Sequence, residues 1–239
     1  MNSDLKLSVI IPAFNEEKRI QETLGRIVSF LHEQPYSSEV IVVDDGSTDA
    51  TVQAARDKLN DFRHKILETP KNIGKGHAVR WGMLTGEGQY LLFCDADLST
   101  PIEEVNRFMA AHEDGYDIVI ASRGLKNSNV EVHQSALRET MGKVFNLCAR
   151  TLVFRGIHDS QCGFKCFKHE VAKDLFEKQK ILGFGFDAEI IYLAQRKGYR
   201  IFEAPVTWRN SPNSRVSIIL DPIRMFLDLV RIRWLHRFD

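Results

Sequence analysis

The sequence is poor in cysteine and has no long apolar run. Four cysteines in 239 residues are too few for a disulfide framework, and no second Cys/His pair near Cys162 and Cys166 completes a zinc site. The longest segment free of Asp, Glu, Lys and Arg, Leu7–Asn15, is far shorter than the ~20 apolar residues of a spanning helix. The N-terminus lacks the basic-then-apolar pattern of a signal peptide. We therefore expect a reduced protein that is soluble, or that lies on a membrane without crossing it.

Net charge is also absent. The 32 Lys and Arg residues balance 32 Asp and Glu residues, which excludes a whole-molecule attraction to nucleic acid, and no nucleic-acid partner is expected. The 44% hydrophobic and 27% charged fractions exclude disordered and collagenous classes. A chain of this length buries enough surface to fold without disulfides or a structural metal.

The pattern of the first 122 residues is an alternation of strands and helices. Most predicted strands are continuously apolar, which is typical of a parallel sheet with helices on both faces. The predicted strands are Leu7–Ile11, Glu39–Asp44, His64–Glu68, Tyr90–Asp95 and Asp117–Ala121. The predicted helices are Glu16–Glu33, Ala50–Asn60, Lys75–Thr85 and Pro101–Glu113. The sequence therefore predicts an α/β fold, with an open, mostly parallel sheet flanked by helices.

The pattern changes after residue 122. Gly124–His133 is polar and predicts a loop, and Gln134–Phe154 predicts a long helix. A strand–helix unit, a further helix and a pair of strands follow; their ranges are Ile157–Phe167 with Glu170–Lys178, Phe186–Lys197, and Arg200–Trp208. No Pro/Gly/Ser-rich linker divides the halves, so residues 1–239 are expected to form one domain.

Acidic residues follow three of the predicted strands. Glu16 follows the first strand, the aspartates Asp44 and Asp45 end the second, and the aspartates Asp95 and Asp97 end the fourth. Helix capping explains Asn15, Asp49 and Thr100, but not these four aspartates. Carboxylates gathered at one sheet edge repel each other unless a cation or ligand donors compensate them. In an extended segment Asp95 and Asp97 would point the same way and could share one hard cation, Mg²⁺ or Mn²⁺, with substrate phosphates.

The order and spacing of these segments resemble the family 2 inverting glycosyltransferases, which have the Rossmann-like A-type glycosyltransferase fold. The segments in the first half are Ser8–Glu17, Val42–Asp49, Asn72–Gly76 and Asp95–Asp97. In the second half, Ser122–Gly124, Asp159–Lys165, Phe186–Glu189 and Trp208–Arg209 to Ser214–Arg215 resemble the polyprenyl-phosphate sugar transferases. Within these, the dolichyl-phosphate glucosyltransferases share the Gly-Lys-Gly loop and the Phe-Asp-x-Glu segment.

The resemblance implies that residues 1–122 bind a nucleotide-sugar donor and residues 123–217 an acceptor. Glu16 would accept from ribose hydroxyls, Asp44 from a base N–H, and Asp95 from the sugar or ribose. The full donor set implied is Pro12, Phe14, Glu16, Val42, Asp44, Asp45, Lys75, Asp95 and Ala96.

The resemblance also implies residues for the metal and the phosphates. Asp97, with Asp95, would hold Mg²⁺ or Mn²⁺. Arg123, Arg209 and Arg215 match basic positions that handle phosphate, which a guanidinium binds in bidentate fashion. The residues expected at the reacting centre are Asp97, Asp187 and Arg123.

The expected reaction is inverting transfer of a hexose, glucose from UDP-glucose, to a polyprenyl or dolichyl phosphate. A lipid phosphate is already anionic and needs no base, whereas a hydroxyl acceptor would need one, and Asp187 is the candidate. A GDP-mannose-dependent enzyme is the other alternative, although Thr100 stands where mannosyl members often carry histidine. The Gln-x-x-Arg-Trp motif of processive polysaccharide synthases is absent.

Unrelated functions fit the sequence less well. A dinucleotide-binding oxidoreductase needs GxGxxG after the first strand, but Gly74–Val79 follows the third. A nucleotidyltransferase would carry a Gly-rich, Arg-containing loop where Pro12–Asn15 stands. A non-catalytic sugar-nucleotide-binding protein remains the third alternative.

The C-terminal segment 218–239 predicts an amphipathic helix. Asp221, Arg224, Asp228 and Arg231 form one polar stripe, and basic residues cluster with Trp234 near its end. Such a helix can lie in a membrane interface, which would place the protein peripherally on the cytoplasmic face of a membrane. The alternatives are packing on the domain itself or on a second copy of the chain, which would make a homodimer.

Overall fold

The computed structural model describes residues 4–132, 135–210 and 220–237, with residues 220 and 221 as backbone only. Strands and helices alternate in its first half, as predicted. They are β1 (Leu5–Ala13), α1 (Ile20–His32), β2 (Ser37–Asp44), α2 (Thr51–Leu59), β3 (His64–Glu68), α3 (Lys75–Thr85), β4 (Tyr90–Cys94), α4 (Glu104–Glu113) and β5 (Ile118–Ser122).

The second half contains shorter strands and longer helices. Its elements are β6 (Asn129–Val132), α5 (Ala136–Leu152), β7 (Phe164–Lys168), α6 (His169–Lys178), α7 (Phe186–Arg196), β8 (Ile201–Pro205), β9 (Thr207–Arg209) and α8 (Leu220–Leu235). The predicted long helix, the strand–helix unit and the C-terminal helix are therefore all present.

Seven strands form one sheet in the order β3-β2-β1-β4-β7-β5-β8. All neighbouring pairs are parallel except those of β7, which runs antiparallel to both β4 and β5. The sheet is thus mostly parallel and takes strands from both halves of the sequence. The predicted open α/β architecture is confirmed.

Hydrophobic cores cover both faces of this sheet, which explains why its strands are continuously apolar. Along β1, Val9 and Ile11 belong to one core with helices α1, α2 and α4, whereas Ile10 belongs to the other. That second core includes residues of α3, α5, α6, α7 and α8. Successive strand residues point to opposite faces, so a sheet buried on both sides needs apolar residues at every position.

The second half departs from the prediction in its strand pairing. The segment predicted as a loop over Gly124–His133 contains β6, which pairs with β9 in a separate two-stranded sheet. The strands predicted as a pair near Arg200–Trp208 do not pair with each other: β8 joins the main sheet beside β5, while β9 leaves it. A strand as short and polar as β6 carries no apolar periodicity, which is why sequence pattern missed it.

The helix starts also differ from the predicted capping. Pro101 and Ile102 lie before α4, whose regular helix begins at Glu104. Asn15 does not cap α1, which starts at Ile20; its φ of 53° is left-handed, and its side chain accepts a hydrogen bond from Thr48 N at 2.8 Å. The polar residue at the end of β1 therefore ties two strand-end loops together.

The C-terminal helix α8 is present, but its side chains do not divide as predicted. Asp228, placed by sequence on a polar stripe, is only 8% exposed, beside the fully buried Leu229 and Ile232. Ile223, Leu227, Val230 and Trp234 are instead exposed. One face of α8 packs on α5 and α7, and its exposed side carries these apolar side chains together with Arg224, Arg231 and Arg233. No helix within the described ranges is long and apolar enough to span a membrane.

We predict opposite effects of alanine at two helical glycines. A Cβ at Gly82 of α3 would lie 2.4 Å from Ile10 Cγ2, whereas a Cβ at Gly142 of α5 meets nothing within 4 Å. Gly82→Ala should lower the free energy of unfolding by about 1–3 kcal/mol through overpacking. Gly142→Ala should raise it by roughly 0.5–1 kcal/mol through helix propensity.

Urea denaturation of both variants measures the two changes against the wild type. Equal stabilisation by both alanines would contradict the close packing of α3 on the sheet.

Candidate active site

A cavity of about 410 Å³ opens at the carboxyl ends of β4 and β5. This is the edge at which open α/β sheets bind their ligands. The loop before β7 and the helices α5, α7 and α8 complete its wall. Its charged lining residues are three acids and three bases: Asp95, Asp97, Asp187, Lys75, Arg123 and Arg138. The formal charges of the lining residues thus sum to zero, as those of the whole chain do.

Asp95 and Asp97 both line this cavity, but in a turn rather than an extended strand. Leu98 N donates to Asp95 O at 3.0 Å, and Asp97 Oδ1 accepts from Ser99 N at 3.0 Å. Burial raises the pKa of Asp97 above its ordinary value, and the Asp95 carboxylate raises it further. Asp97 forms no ion pair with any residue the structure describes.

Lys75 is held against Asp95 by the glycines on either side of it. Its Nζ lies 2.6 Å from Asp95 Oδ1. A Cβ at Gly74, whose φ is +136°, would lie 2.4 Å from Leu182 O, and one at Gly76 would lie 2.8 Å from Gly183 O. Burial alone would lower the pKa of Lys75, but Asp95 and then Asp187 raise it. The Gly-Lys-Gly loop therefore brings a charged ammonium to the cavity by close backbone contact.

The carboxylates that end β2 have different surroundings. Asp45 accepts hydrogen bonds from Ile73 N at 3.0 Å and Gly74 N at 2.8 Å, so it holds the loop that carries Lys75. Asp44 Oδ2 accepts from Ser47 N at 2.9 Å. Asp44 Oδ1 is buried and accepts no hydrogen bond from the described residues. One buried carboxylate oxygen at this edge therefore has no hydrogen-bond donor among the described residues.

The remaining residues of the predicted donor set lie along the same edge of the sheet. Pro12 and Phe14 are partly buried at and beyond the end of β1, and Glu16 pairs with Arg19. Val42 and Ala96 are core residues, and Ala96 O accepts a hydrogen bond from Thr23 Oγ1 at 2.7 Å. None of these five residues is among the described residues that line the cavity.

Arg123 is fixed at the cavity by a bidentate ion pair. Its Nε and Nη2 donate to Asp159 at 2.6 and 2.9 Å, and its backbone N donates to Asp159 Oδ2 at 3.1 Å. Its guanidinium carbon lies 5.2 Å from the centre of the Trp208 ring. Burial alone would raise the pKa of Asp159, but Arg123 holds it at about 2. The guanidinium thus faces the cavity with its orientation fixed.

Asp187 enters the cavity from the first turn of α7 and is paired from below. Lys165 Nζ of β7 donates to Asp187 Oδ1 at 2.5 Å and to Cys162 O at 2.7 Å. Lys165 is 1% exposed and Asp187 is 3% exposed. Burial raises the pKa of Asp187, and the Lys165 charge opposes that rise.

Helix α7 also holds the C-terminal helix. In the irregular segment between α6 and α7, Lys180 N and Ile181 N donate to the Glu189 carboxylate at 2.9 Å each. His236, just after α8, lies 2.6 Å from Glu189 Oε1, and both side chains are fully buried. The polar contacts of Glu189 therefore fix the end of α8 to the helix that carries Asp187.

The structure does not bring all predicted phosphate-binding arginines together. Arg209 lies on the exposed side of β9 and pairs with Glu131, while its neighbour Trp208 faces the cavity. Arg215 lies outside the described residues. Sequence reasoning did not single out Arg138, Gln161 or Lys165, which the structure places at or beside the cavity. Arg138 shares helix α5 with Lys143 and Arg150, and nothing in the sequence distinguished it from them.

Sequence comparison assigns the family. A profile described as Glycosyl transferase family 2 matches residues 8–176. The chain belongs to this family. It is a glycosyltransferase, as the strand-end motifs predicted.

Individual relatives cover nearly the whole chain. It is 35% identical over 244 residues to dolichyl-phosphate beta-glucosyltransferase of Dictyostelium discoideum, covering 97% of this chain and 75% of that protein. The enzyme of the same name from Saccharomyces cerevisiae is 35% identical, with coverage of 97% and 75%. The one from Homo sapiens is 31% identical, with coverage of 95% and 75%.

Solved structures confirm the A-type glycosyltransferase fold. Glucosyl-3-phosphoglycerate synthase of Mycobacterium tuberculosis superposes with a TM-score of 0.71 at 18% identity, covering 96% of this chain and 81% of that chain. The same enzyme was crystallised with Mn²⁺, uridine diphosphate and glucosyl-3-phosphoglycerate; that structure gives a TM-score of 0.68 at 20% identity, with coverage of 98% and 80%.

We predict that the Asp159 charge stabilises the protein in a pH-dependent way. The folded-state pKa of Asp159, about 2, is below its ordinary value of 3.8. Its contribution, about 2 kcal/mol, is therefore complete above about pH 4 and is lost as pH falls through about 2. Asp159→Asn should destabilise the protein at neutral pH, and its deficit should begin to narrow below about pH 4.

Urea unfolding between pH 3 and pH 6 measures this deficit. Asp61→Asn, at an exposed position, is the control and should match the wild type throughout. A deficit for Asp159→Asn that stays constant over the whole range would contradict the assignment of the low pKa to Asp159.

Proposed function

We propose that the protein transfers glucose from UDP-glucose, with inversion, to a polyprenyl or dolichyl phosphate, assisted by a divalent metal ion. The observation that carries this proposal is the composition of the cavity wall. Arg123, after β5, and Arg138 of α5 supply cations, and Met141 and Phe145 of α5 with Met225 of α8 supply apolar surface. A phosphate joined to a hydrocarbon chain needs this combination of cations and apolar surface.

The relatives support the choice of sugar and acceptor. The enzymes from Dictyostelium, yeast and human that this chain resembles over 95% or more of its length are named dolichyl-phosphate beta-glucosyltransferases. The structural neighbour that binds uridine diphosphate supports a uridine donor, although it shares only the fold with this chain.

The donor would lie along the edge formed by β1, β2 and β4. Asp44 Oδ1, buried without a protein donor, suits the ring N–H of a uracil base. The ribose and the base would lie beside Pro12, Phe14 and Glu16. In this arrangement Asp45 acts by holding the Lys75 loop, and Val42 by packing in the core.

The carboxylates at the end of β4 fit a divalent metal ion. Asp95, Asp159 and Asp187 each pair with a Lys or Arg side chain, whereas Asp97 has no such partner among the described residues. Magnesium is commonly bound by one or two carboxylates together with substrate phosphates. We propose that Asp97, supported by Asp95, would hold Mg²⁺ or Mn²⁺. The ion would neutralise charge that develops on the departing diphosphate.

The reaction would be a direct displacement at the anomeric carbon. An oxygen of the lipid phosphate forms the new bond as the bond to the nucleoside diphosphate breaks, so configuration inverts. Arg123 would hold the acceptor phosphate, since its guanidinium is fixed by Asp159 and faces the cavity. No proton needs to leave the phosphate nucleophile, and thus no base is required.

A hydroxyl acceptor is the rival that one observation favours. Burial raises the pKa of Asp187, which would suit a general base. Its pairing with Lys165 argues against this role, because a neighbouring ammonium weakens a carboxylate as a proton acceptor. A GDP-mannose donor finds less support, since the named relatives transfer glucose.

We predict that Asp97→Asn abolishes transfer while folding is unchanged. The variant keeps the size of the side chain and removes the charge that would hold the metal. Formation of glucosyl lipid from UDP-glucose, polyprenyl phosphate and Mg²⁺ or Mn²⁺ should fall by about 100-fold or more. Asp61→Asn is the matched control and should retain full activity.

A panel of donors and acceptors completes this test. UDP-glucose, UDP-N-acetylglucosamine and GDP-mannose are each offered with polyprenyl phosphate, free sugars and a polyprenol without phosphate. Transfer confined to hydroxyl acceptors would refute the lipid-phosphate proposal, and full activity in the presence of a chelator would refute metal dependence.

We further propose that the open face of α5 and α8 lies on the cytoplasmic surface of a membrane. Leu137, Val144 and Leu147 of α5 are 60, 47 and 54% exposed, and Val230 and Trp234 of α8 are 67 and 63% exposed. The basic residues Arg224, Arg231, Arg233 and Arg237 are also exposed on α8 and the turn after it. Exposed apolar side chains among arginines are typical of proteins that bind anionic lipid surfaces.

We predict that charge on this face weakens membrane binding. The double variant Leu147→Glu/Val230→Glu should bind anionic phospholipid vesicles at least about 10-fold less tightly, because two apolar contacts are lost. The control is Ile73→Glu/Val132→Glu, which adds the same charge at exposed apolar positions outside α5 and α8.

Co-sedimentation with vesicles measures both variants. Equal binding by the two would refute the membrane proposal, and a concentration-dependent dimer broken only by the first pair would assign the face to a second copy of the chain.

A further inference from the structure

Lys165 ends the family-like segment Asp159–Lys165, but the resemblance assigns no role to it. It lies in β7, between β4 and β5 in the sheet, and does not line the cavity. A lysine that is 1% exposed is expensive to bury unless its charge is paired. Its ammonium donates to Asp187 Oδ1 and Cys162 O, and lies 5.0 Å from the centre of the Phe93 ring. Asp187 is the acid that pairs with this buried charge.

Every second residue of the segment before and into β7 serves the same site. Asp159 orients Arg123, and Gln161 lines the cavity. Gly163 leaves room for Asp95, since a Cβ there would lie 2.0 Å from Asp95 Oδ2, and Lys165 binds Asp187. One segment thus contacts three charged groups of the cavity, which are Arg123, Asp95 and Asp187.

The contact with Lys165 leaves Asp187 with one oxygen for a ligand. Asp187 lines the cavity, and its Oδ2 accepts no hydrogen bond from the part of the chain that the structure describes. Lys75 and Asp95 are its charged neighbours on the donor side. A carboxylate with one free oxygen is an acceptor for sugar hydroxyls.

We propose that Lys165 is a positioning residue that holds Asp187 with Oδ2 directed at the glucosyl group of the donor. This inference rests on the proposed function, because it takes UDP-glucose as the donor. Lys165 touches no substrate and acts through Asp187. The ion pair between Lys165 and Asp187 fixes the Asp187 carboxylate as a hydrogen-bond acceptor for the hydroxyls of the sugar.

The test compares the affinities of UDP-glucose and UDP, measured by calorimetry on the full chain. Lys165→Met and Asp187→Asn should each weaken UDP-glucose binding about 10- to 100-fold, the range that loss of a ligand-positioning contact usually gives. Binding of UDP should change less than about 2-fold, since UDP has no glucosyl group. Lys168→Met is the control, because Lys168 lies on the same strand and pairs with Asp117.

The double variant Lys165→Met/Asp187→Asn keeps the test decisive if Lys165→Met alone does not fold. It leaves no unpaired buried charge at this pair and should bind UDP-glucose as Asp187→Asn does. Additional loss in the double variant, or equal loss of UDP and UDP-glucose affinity in the single variants, would overturn the inference. A wild-type chain that binds neither nucleotide would overturn the proposed donor and the inference with it, whereas binding without transfer would refute only the acceptor.

Discussion

The need to compensate buried carboxylates shapes the carboxyl edge of this sheet. Parallel strands bring their ends to one place, and here those ends carry aspartates. Each buried acid is energetically costly unless a base or donor meets it. Lys75, Arg123 and Lys165 meet Asp95, Asp159 and Asp187 respectively. These bases come from three different places, the start of α3, the loop after β5 and strand β7, and each reaches one carboxylate.

This constraint gives the antiparallel strand β7 its importance. It lies between β4, which ends just before Asp95 and Asp97, and β5, which ends just before Arg123. Because β7 runs in the opposite direction, the chain enters it from the carboxyl edge. The residues just before and within its start are therefore at the site, whereas in its parallel neighbours the residues after the strand are there. The family motif Asp159–Lys165 owes its position to this reversal.

Sequence alone predicted much of this arrangement, for physical reasons that are identifiable. Continuous apolar strands require two covered faces, so β1, β2 and β4 were predictable, and with them the placement of Asp44, Asp95 and Asp97 at one edge. The distinct tasks of Asp44 and Asp45 were not predictable, because which neighbour points outward depends on the loop that returns to meet it. The pairing of Lys165 was not predictable either, because no periodicity in an apolar strand indicates which residue of a distant helix a lysine contacts. For β6 and β9, pairing between short segments far apart in sequence left no local pattern.

Helices α5 and α8 carry both the exposed apolar side chains and the apolar part of the cavity wall. With a bilayer against that face, an acceptor anchored by its hydrocarbon tail would search for the cavity by lateral diffusion in a plane. The donor, being water-soluble, would search by diffusion through the bulk. The rate of encounter with a given amount of acceptor would then depend on the membrane area, and the rate of encounter with a given amount of donor would depend on the aqueous volume.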